Sequence, residues 1–447
     1  MPADPTAPTT ASRPGTPGLA REILALALPA FATLVSEPLL LMADSAMVGH
    51  LGTLELGGLG LAASVLTLVN GLCVFLAYGT TAAVARRIGA GDTRRALAGG
   101  IDGMALGLGL GVVLALTVQL AAPHVIALYG ASEAVNQQAV GYLRIACWGL
   151  PMLLLMMAAT GVLRGLKDTR TPLRVAVTMN LANIALNALF IYGLGLGLRG
   201  SALGTLIAQF FGASVLAAVV LRAALAAGTG LRVRLSGVLE AARGGIWLVL
   251  RSLWLQCTVA VTVAVAARTG QVGLAAHQVT NSIWAFLCLA LDSLAIAAQA
   301  LVGHELGAGR AARVREITAK LCWWGVAGGL AFGAVLVLLR PLVAPVFTPD
   351  GQVQDVLVKL LLVLALITPV AGVVFVLDGV LIGAGDARYL AGAGLVATLC
   401  FAPLAWWVAQ GSHGVVWLWL AYGGYIVARL ATLLLRSRSD AWMRLGA

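Results

Sequence analysis

The sequence predicts an all-α polytopic membrane protein, with twelve transmembrane helices in two six-helix bundles related by a pseudo-twofold axis along the membrane normal. Three observations carry that expectation. Of 447 residues, 60% are hydrophobic and only 11% charged, against about 25% charged in soluble domains. So few charges cannot cover a water-soluble globule, and so much large apolar side chain excludes a disordered one. Uncharged runs long enough to cross a bilayer, ~20 residues, recur between basic loops. Finally, the second half repeats the first at a constant offset of 218 residues.

Taken in order, residues 1–20 form a Pro/Thr/Ala-rich segment that is expected to be a disordered cytoplasmic tail. The first apolar stretch runs from Ile23 past Val48. That is too long for a signal-peptide core and has no cleavage signature, so it is read as a retained helix 1. Helices 2 to 6 are expected on Leu56–Ala85, Gly103–Ser132, Ile145–Leu163, Val175–Leu198 and Gly200–Leu221. A cytoplasmic linker is placed at residues 227–242. Helices 7 to 10 follow on Ser252–Ala267, Thr269–Leu291, Leu321–Leu339 and Leu360–Leu377. The last run, Tyr389–Ala428, is split by Gln410, Gly411, Ser412, His413 and Gly414 into helices 11 and 12. The lobes are therefore residues 21–226 and 243–436, with a cytoplasmic tail at 437–447.

The net charge of +11 resolves into topology. Of 29 basic residues, 23 lie in the two terminal segments and in alternate loops, such as Arg86, Arg87, Arg94 and Arg95 between helices 2 and 3. The opposite loops hold Arg199, Arg268, Arg340 and Lys359, and only Arg144 and Arg251 fall inside helices. By the positive-inside rule both termini are cytoplasmic, and an inner-membrane location is expected. A nucleic-acid binder would cluster its basic residues on one soluble face, so no nucleic-acid partner is expected.

The repeat is specific. Gly89-Ala90-Gly91 matches Gly307-Ala308-Gly309, Pro151 matches Pro369, and Gly107 and Gly111 match Gly325 and Gly329. Gly161, Gly165 and Asp168 match Gly379, Gly383 and Asp386. Six helices per repeat is an even number, so both copies point the same way. Such parallel repeats are a transporter architecture that handles substrate between the halves.

Acids inside a membrane are costly and point to function. Four stand out: Glu37 and Asp44 in helix 1, Asp292 in helix 8 and Asp378 in helix 10. Glu37 and Asp44 are seven residues apart, hence nearly on one helix face and about 10 Å apart by the 1.5 Å rise. A desolvated carboxylate with a second acid nearby is a proton-exchanging group. Asp44 near the outer end could instead be solvated or capping, and Asp378 could simply pair with Arg388. Helix 5 carries Asn180, Asn183 and Asn187, the last two four apart on one face. Asp44, Asn187 and Thr205 of helix 6 fall at similar depth. Together they could hold a proton or a hard cation, or could merely bond helix to helix. Ten of the 11 tryptophans lie in the second half; most are expected in packing, with Trp254 and Trp284 as candidates for a substrate surface.

Other chemistry finds no support. The six cysteines lack CxxC spacing, His304-Glu305 lacks the second histidine of a zinc protease, and no phosphate-binding loop with a Lys-Ser/Thr ending occurs. No catalytic residue, metal site or cofactor is expected beyond a coupling ion, proton or sodium.

The pattern Asp44-Ser45-Ala46-Met47-Val48-Gly49-His50-Leu51-Gly52, with Pro29 fifteen residues earlier, resembles helix 1 of the multidrug and toxic compound extrusion (MATE) family. Asn183 and Asn187 before Tyr192-Gly193, then Gly200-Ser201-Ala202-Leu203-Gly204-Thr205, resemble its helices 5 and 6. Glu37-Pro38 before Asp44, and Asp292 ahead of Ala298-Gln299-Ala300-Leu301-Val302-Gly303, are similar to the DinF branch. The resemblance spans about residues 20–436. It implies a V-shaped pair of lobes and cation-coupled antiport of drugs or organic ions, with Asp44 as the coupling residue beside Glu37, Asn183, Asn187 and Thr205. Asp292, Asp378, Asn180, Trp254 and Trp284 are then expected along the substrate pathway. Many relatives carry Asp where this chain has Asn187, and that loss favours protons over sodium. A lipid-linked saccharide flippase of the wider superfamily, a passive channel and a membrane enzyme are the other readings. The expected partners are a small-molecule drug or organic ion and membrane lipids, with the protein a monomer.

Overall fold

The computed structural model describes residues 18–411 and 413–446, and among them there is no strand. Twelve helices are long and apolar enough to cross a membrane. The first lobe holds α1 (Leu19–Gly49), α2 (Thr53–Gly89), α3 (Thr93–Ala127), α4 (Glu133–Gly165), α5 (Arg170–Gly193) and α6 (Gly197–Ala226). The second holds α7 (Leu235–Arg268), α8 (Gly270–Gly307), α9 (Ala311–Phe347), α10 (Gly351–Gly383), α11 (Ala387–Gln410) and α12 (Val415–Arg438). Residues 1–17 of the expected tail lie outside the described residues, and Leu19 and Ala20 already belong to α1.

The helices outrun the uncharged stretches that predicted them. α8 continues from Leu291 to Gly307 through Asp292, His304 and Glu305. α7 begins at Leu235, so the connection between the lobes is residues 227–234 rather than 227–242. A charge-free window stops at the first acid, whereas a helix continues through any charge that finds a partner or water. The linker is fastened to α3: Arg234 donates from its backbone N–H and its guanidinium to Asp102, at 2.7 to 3.2 Å. Arg94 Nε also donates to the Ala227 carbonyl at 3.0 Å.

Helix ends recur at the 218-residue offset, as in Glu133–Gly165 against Gly351–Gly383, and so do the close contacts. A Cβ at Gly161 would stand 2.5 Å from the Ala77 carbonyl oxygen, and one at Gly379 would stand 2.5 Å from that of Ala295. Gly111 meets Pro151 in the first lobe, and Gly329 meets Pro369 in the second. Only glycine permits backbones to approach so closely. Between lobes the pairing is reciprocal. A methyl at Gly89 would strike the His304 carbonyl, one at Gly307 would strike that of Arg86, and Gly303 meets Ala85. Residue i touching j while the equivalent of i touches the equivalent of j is the mark of a twofold interface, here within one chain. These contacts close the seam at the face that carries the chain ends. The C-terminal segment does not hang free of it. Trp442 is buried, Gly446 N–H donates to the Leu306 carbonyl, and Arg86 donates to the carbonyls of Arg444 and Gly446.

Candidate cation-coupling site

α1 contains two prolines, Pro29 and Pro38, each lacking the N–H that would bond four residues back. The carbonyl freed by Pro29, that of Ala25, accepts from Thr169 Oγ1 at 3.3 Å. This is one of five polar rungs that fasten α1 to α5 and the loop before it. Lys167 Nζ donates to Glu22 at 2.8 Å and Asn180 Nδ2 to the Ser36 carbonyl at 3.0 Å. Asn187 Nδ2 donates to Asp44 Oδ1 at 2.8 Å and Tyr192 Oη to the Met47 carbonyl at 2.7 Å. α5 ends in a π-helical turn, Leu189–Gly193, which sets the reach of Tyr192 just beyond Asn187. Such turns often accompany functional sites.

From Asp44 the hydrogen bonds run on. Asn187 Nδ2 also donates to Asn183 Oδ1 at 3.0 Å, and Asn183 Nδ2 donates to Thr205 Oγ1 at 3.0 Å. Asp44 is 5% exposed, Asn183 1% and Asn187 0%. A methyl at Gly204 would strike Asn187 Oδ1, so this glycine lets α6 approach closely enough for Thr205 to join. Asn187 Oδ1 itself is buried and has no partner among the described residues.

Asp44 lines a cavity of about 340 Å³ among α1, α2, α4, α5 and α6. Glu37 lines the same cavity and accepts from Asn70 Nδ2 at 3.1 Å. Asn180 and Thr205 also line it, its walls include Met156 and Met179, and no basic residue contributes. The structure thus brings together Glu37, Asp44, Asn180, Asn183, Asn187 and Thr205. Asn70 was missed because a single amide in an apolar run carries no pattern.

The remaining expected pathway residues lie elsewhere. Asp292 sits at the seam, where Tyr78 Oη of the first lobe donates to both its oxygens at 3.2 Å. Asp378 is not beside Arg388, whose guanidinium stacks over Trp247 at 5.5 Å. It is locked between Arg251, which grips it with two nitrogens, and Arg429 at 3.2 Å, with a gap of only about 10 Å³ beside it. Sequence spacing favoured the neighbour one helical turn beyond α10, but folding brought arginines from α7 and α12. Trp284 is buried in an aromatic cluster, donating from Nε1 to Tyr422 Oη at 3.1 Å. Trp254 packs against Gly394, and its carbonyl accepts from Thr258 at 3.0 Å. Neither lines the cavity of the first lobe. Asp102 and Glu305 are buried acids that the uncharged-run reading passed over, and both are paired, with Arg234 and Arg310 respectively.

The MatE family pattern matches residues 29–189 and 248–407, one block in each lobe. The chain belongs to the MATE family. It is therefore a multi-pass membrane transporter of a multidrug efflux family, not an enzyme. DNA damage-inducible protein F of Escherichia coli (strain K12) is 31% identical, over 90% of this chain and 89% of that protein. The chloroplastic protein DETOXIFICATION 44 of Arabidopsis thaliana is 30% identical, over 97% of this chain and 83% of that one. The Vibrio cholerae MATE transporter VcmN in its bent form superposes with a TM-score of 0.86 at 22% identity, covering 95% of this chain and 98% of that one. A MOP superfamily transporter from Pyrococcus furiosus gives 0.85 at 23% identity, covering 95% and 96%. The fold is thus that of MATE transporters, two six-helix halves.

Proposed function

We propose that this MATE transporter is a proton-coupled antiporter that exports amphipathic drugs or organic ions by alternating access, with Asp44 as the group that carries the proton. The observation that supports this reading most is the polarity of the Asp44 environment. An ionised Asp44 accepts from Asn187 Nδ2, while Asn187 Oδ1 lies buried without a partner. A proton arriving on Asp44 turns it into a donor, and rotation of the Asn187 amide supplies the vacant oxygen as acceptor. That rotation breaks the Asn187 bond to Asn183 and loosens the run to Thr205, so the proton's arrival alters one rung between α1 and α5. Buried polar groups left without partners are costly, so each protonation state of Asp44 favours its own orientation of the Asn187 amide. Release of the substrate accompanies one and loading the other.

Sodium coupling by the same site fits less well. A cation needs oxygens, and the amide faces Asp44 with nitrogen. A saccharide-diphosphate flippase would need a cationic cavity, whereas this one carries Glu37 and Asp44 and no basic residue. Acidic charge on flexible, apolar walls suits amphipathic cations, since methionine adapts to varied shapes. The 23 basic residues of the terminal segments and alternate loops support cytoplasmic termini in an inner membrane. The protein is taken to work as a monomer among membrane lipids.

The test is dye uptake into proteoliposomes under an imposed pH gradient. Asp44→Asn keeps the size of the side chain and an oxygen for Asn187, so it should fold and bind dye yet lose gradient-driven uptake. Retained uptake would sink the proposal, and uptake driven by sodium alone would replace it with the sodium reading.

A further inference from the structure

A second cavity, of about 720 Å³, lies at the chain-end face between the end of α2, the start of α11, the end of α12 and the C-terminal segment. Arg86, Arg388, Arg436 and Arg444 line it, against one acid, Asp386. Asp386 is taken by Arg436 at 2.6 Å. Neutral groups place the guanidiniums. Arg388 lies over Trp247 at 5.5 Å, Arg436 over Tyr389 at 4.9 Å, and Arg86 donates to the Ala384 carbonyl at 2.8 Å. Among the described residues, no carboxylate pairs with Arg86, Arg388 or Arg444. Among the described residues, three guanidiniums thus border one cavity with no carboxylate partner, Arg86 donating only to backbone carbonyls. The same cavity continues along the outside of α11 over Gly392, Ala393 and Val396. Val396 is 48% exposed, and a Cβ at Gly392 would meet nothing within 4 Å.

We infer that this cavity is a binding site for the phosphate headgroup of an anionic phospholipid, with an acyl chain along the Gly392–Val396 furrow. Guanidinium forks match phosphate oxygens in pairs, and basic pockets among transmembrane helices attract anionic headgroups. The furrow is what distinguishes a lipid from free phosphate: an arginine cluster that opens onto an apolar groove has the polarity of an amphiphile. Arg86 belongs to the first lobe, Arg388 and Arg436 to the second and Arg444 to the C-terminal segment, so a bound phosphate also relieves repulsion across the closed seam. This cavity shares no residue with the Asp44 cavity of the first lobe.

Native mass spectrometry of the delipidated full-length protein tests it, with phosphatidylglycerol, phosphatidylcholine and inorganic phosphate as probes. Phosphatidylglycerol should bind saturably and in preference to phosphatidylcholine. Arg388→Gln with Arg444→Gln, both exposed and outside the core, should weaken that binding roughly thirtyfold. The matched pair Arg95→Gln with Arg232→Gln, elsewhere on the same face, should leave it nearly unchanged. Gly392→Leu, which fills open space, should weaken the lipid and not phosphate. Equal losses in both double variants would mean diffuse surface charge and overturn the site. Full competition by inorganic phosphate with no effect of Gly392→Leu would overturn the lipid as its ligand.

Discussion

The two lobes share a backbone and differ in what they do with the space inside it. In the first, Asp44, Asn183, Asn187 and Thr205 form a network of neutral donors, and Asp44 and Thr205 line a cavity. Adding 218 to those numbers gives Thr262, Phe401, Ala405 and Gly423. The cavity-wall residue Leu66 becomes Trp284, and Gly204 becomes Tyr422. Trp284 and Tyr422 meet at 5.7 Å, and Phe401 packs on Tyr422 at 6.4 Å and on Tyr425 at 6.1 Å. Aromatic rings fill in the second lobe what is cavity in the first. Asp378, a buried acid of the second lobe, faces arginines instead of amides. Two guanidiniums neutralise Asp378 within an ion-pair cluster, whereas Asp44 meets only neutral amide hydrogen. The repeat preserved the glycine-to-carbonyl packing, and the chemistry diverged in side chains that do not set the backbone.

Three comparisons would break or sharpen this contrast. The largest expected effect is on Asp378→Asn. Removing one partner of a buried ion pair costs about 3–5 kcal/mol, so thermal unfolding in detergent should move to clearly lower temperature. Asp44→Asn should leave the unfolding temperature nearly unchanged while abolishing coupled uptake. Equal destabilisation by both would erase the distinction between a structural and a titrating acid.

Next comes Asn187→Ala. A hydrogen bond to a charged group is worth about 1.5–3 kcal/mol, so gradient-driven uptake should fall about tenfold or more, with dye binding in the absence of a gradient retained. Its positional counterpart, Ala405→Asn, places an amide among apolar neighbours and should bring no coupled transport. Full uptake by Asn187→Ala would show that the amide plays no part in the proton's work.

Tyr78→Phe is the mildest. It removes the one hydroxyl that joins the first lobe to Asp292, and hydrogen bonds between membrane helices average about 0.6 kcal/mol. A small loss of thermal stability with transport intact is expected. A loss of transport comparable to that of Asp44→Asn would move Asp292 from the seam into the mechanism.

Much of this was legible beforehand. Helix number, repeat and polarity of the loops follow from hydropathy and charge, because a bilayer penalises every uncovered peptide group and so enforces whole helices. The cluster of Glu37, Asp44, Asn183, Asn187 and Thr205 was legible too, since each polar side chain stands out against apolar surroundings. Asp378 was misread because its partners, Arg251 and Arg429, are 127 and 51 positions away. Trp284 was misread because a tryptophan in an apolar helix has the same sequence context whether it lines a cavity or fills one.

The sequence by itself determined that the chain spans a membrane twelve times in two equivalent halves and that its first half holds an acid among amides. Hydropathy and periodicity are local quantities, and a membrane converts them almost directly into helices. Only the tertiary structure decided that the Asn187 amide turns its nitrogen to Asp44, that rings pack inside the second lobe, and that arginines from three separate stretches of sequence line one cavity. Those facts depend on side chains meeting from distant helices, and no local pattern encodes a meeting.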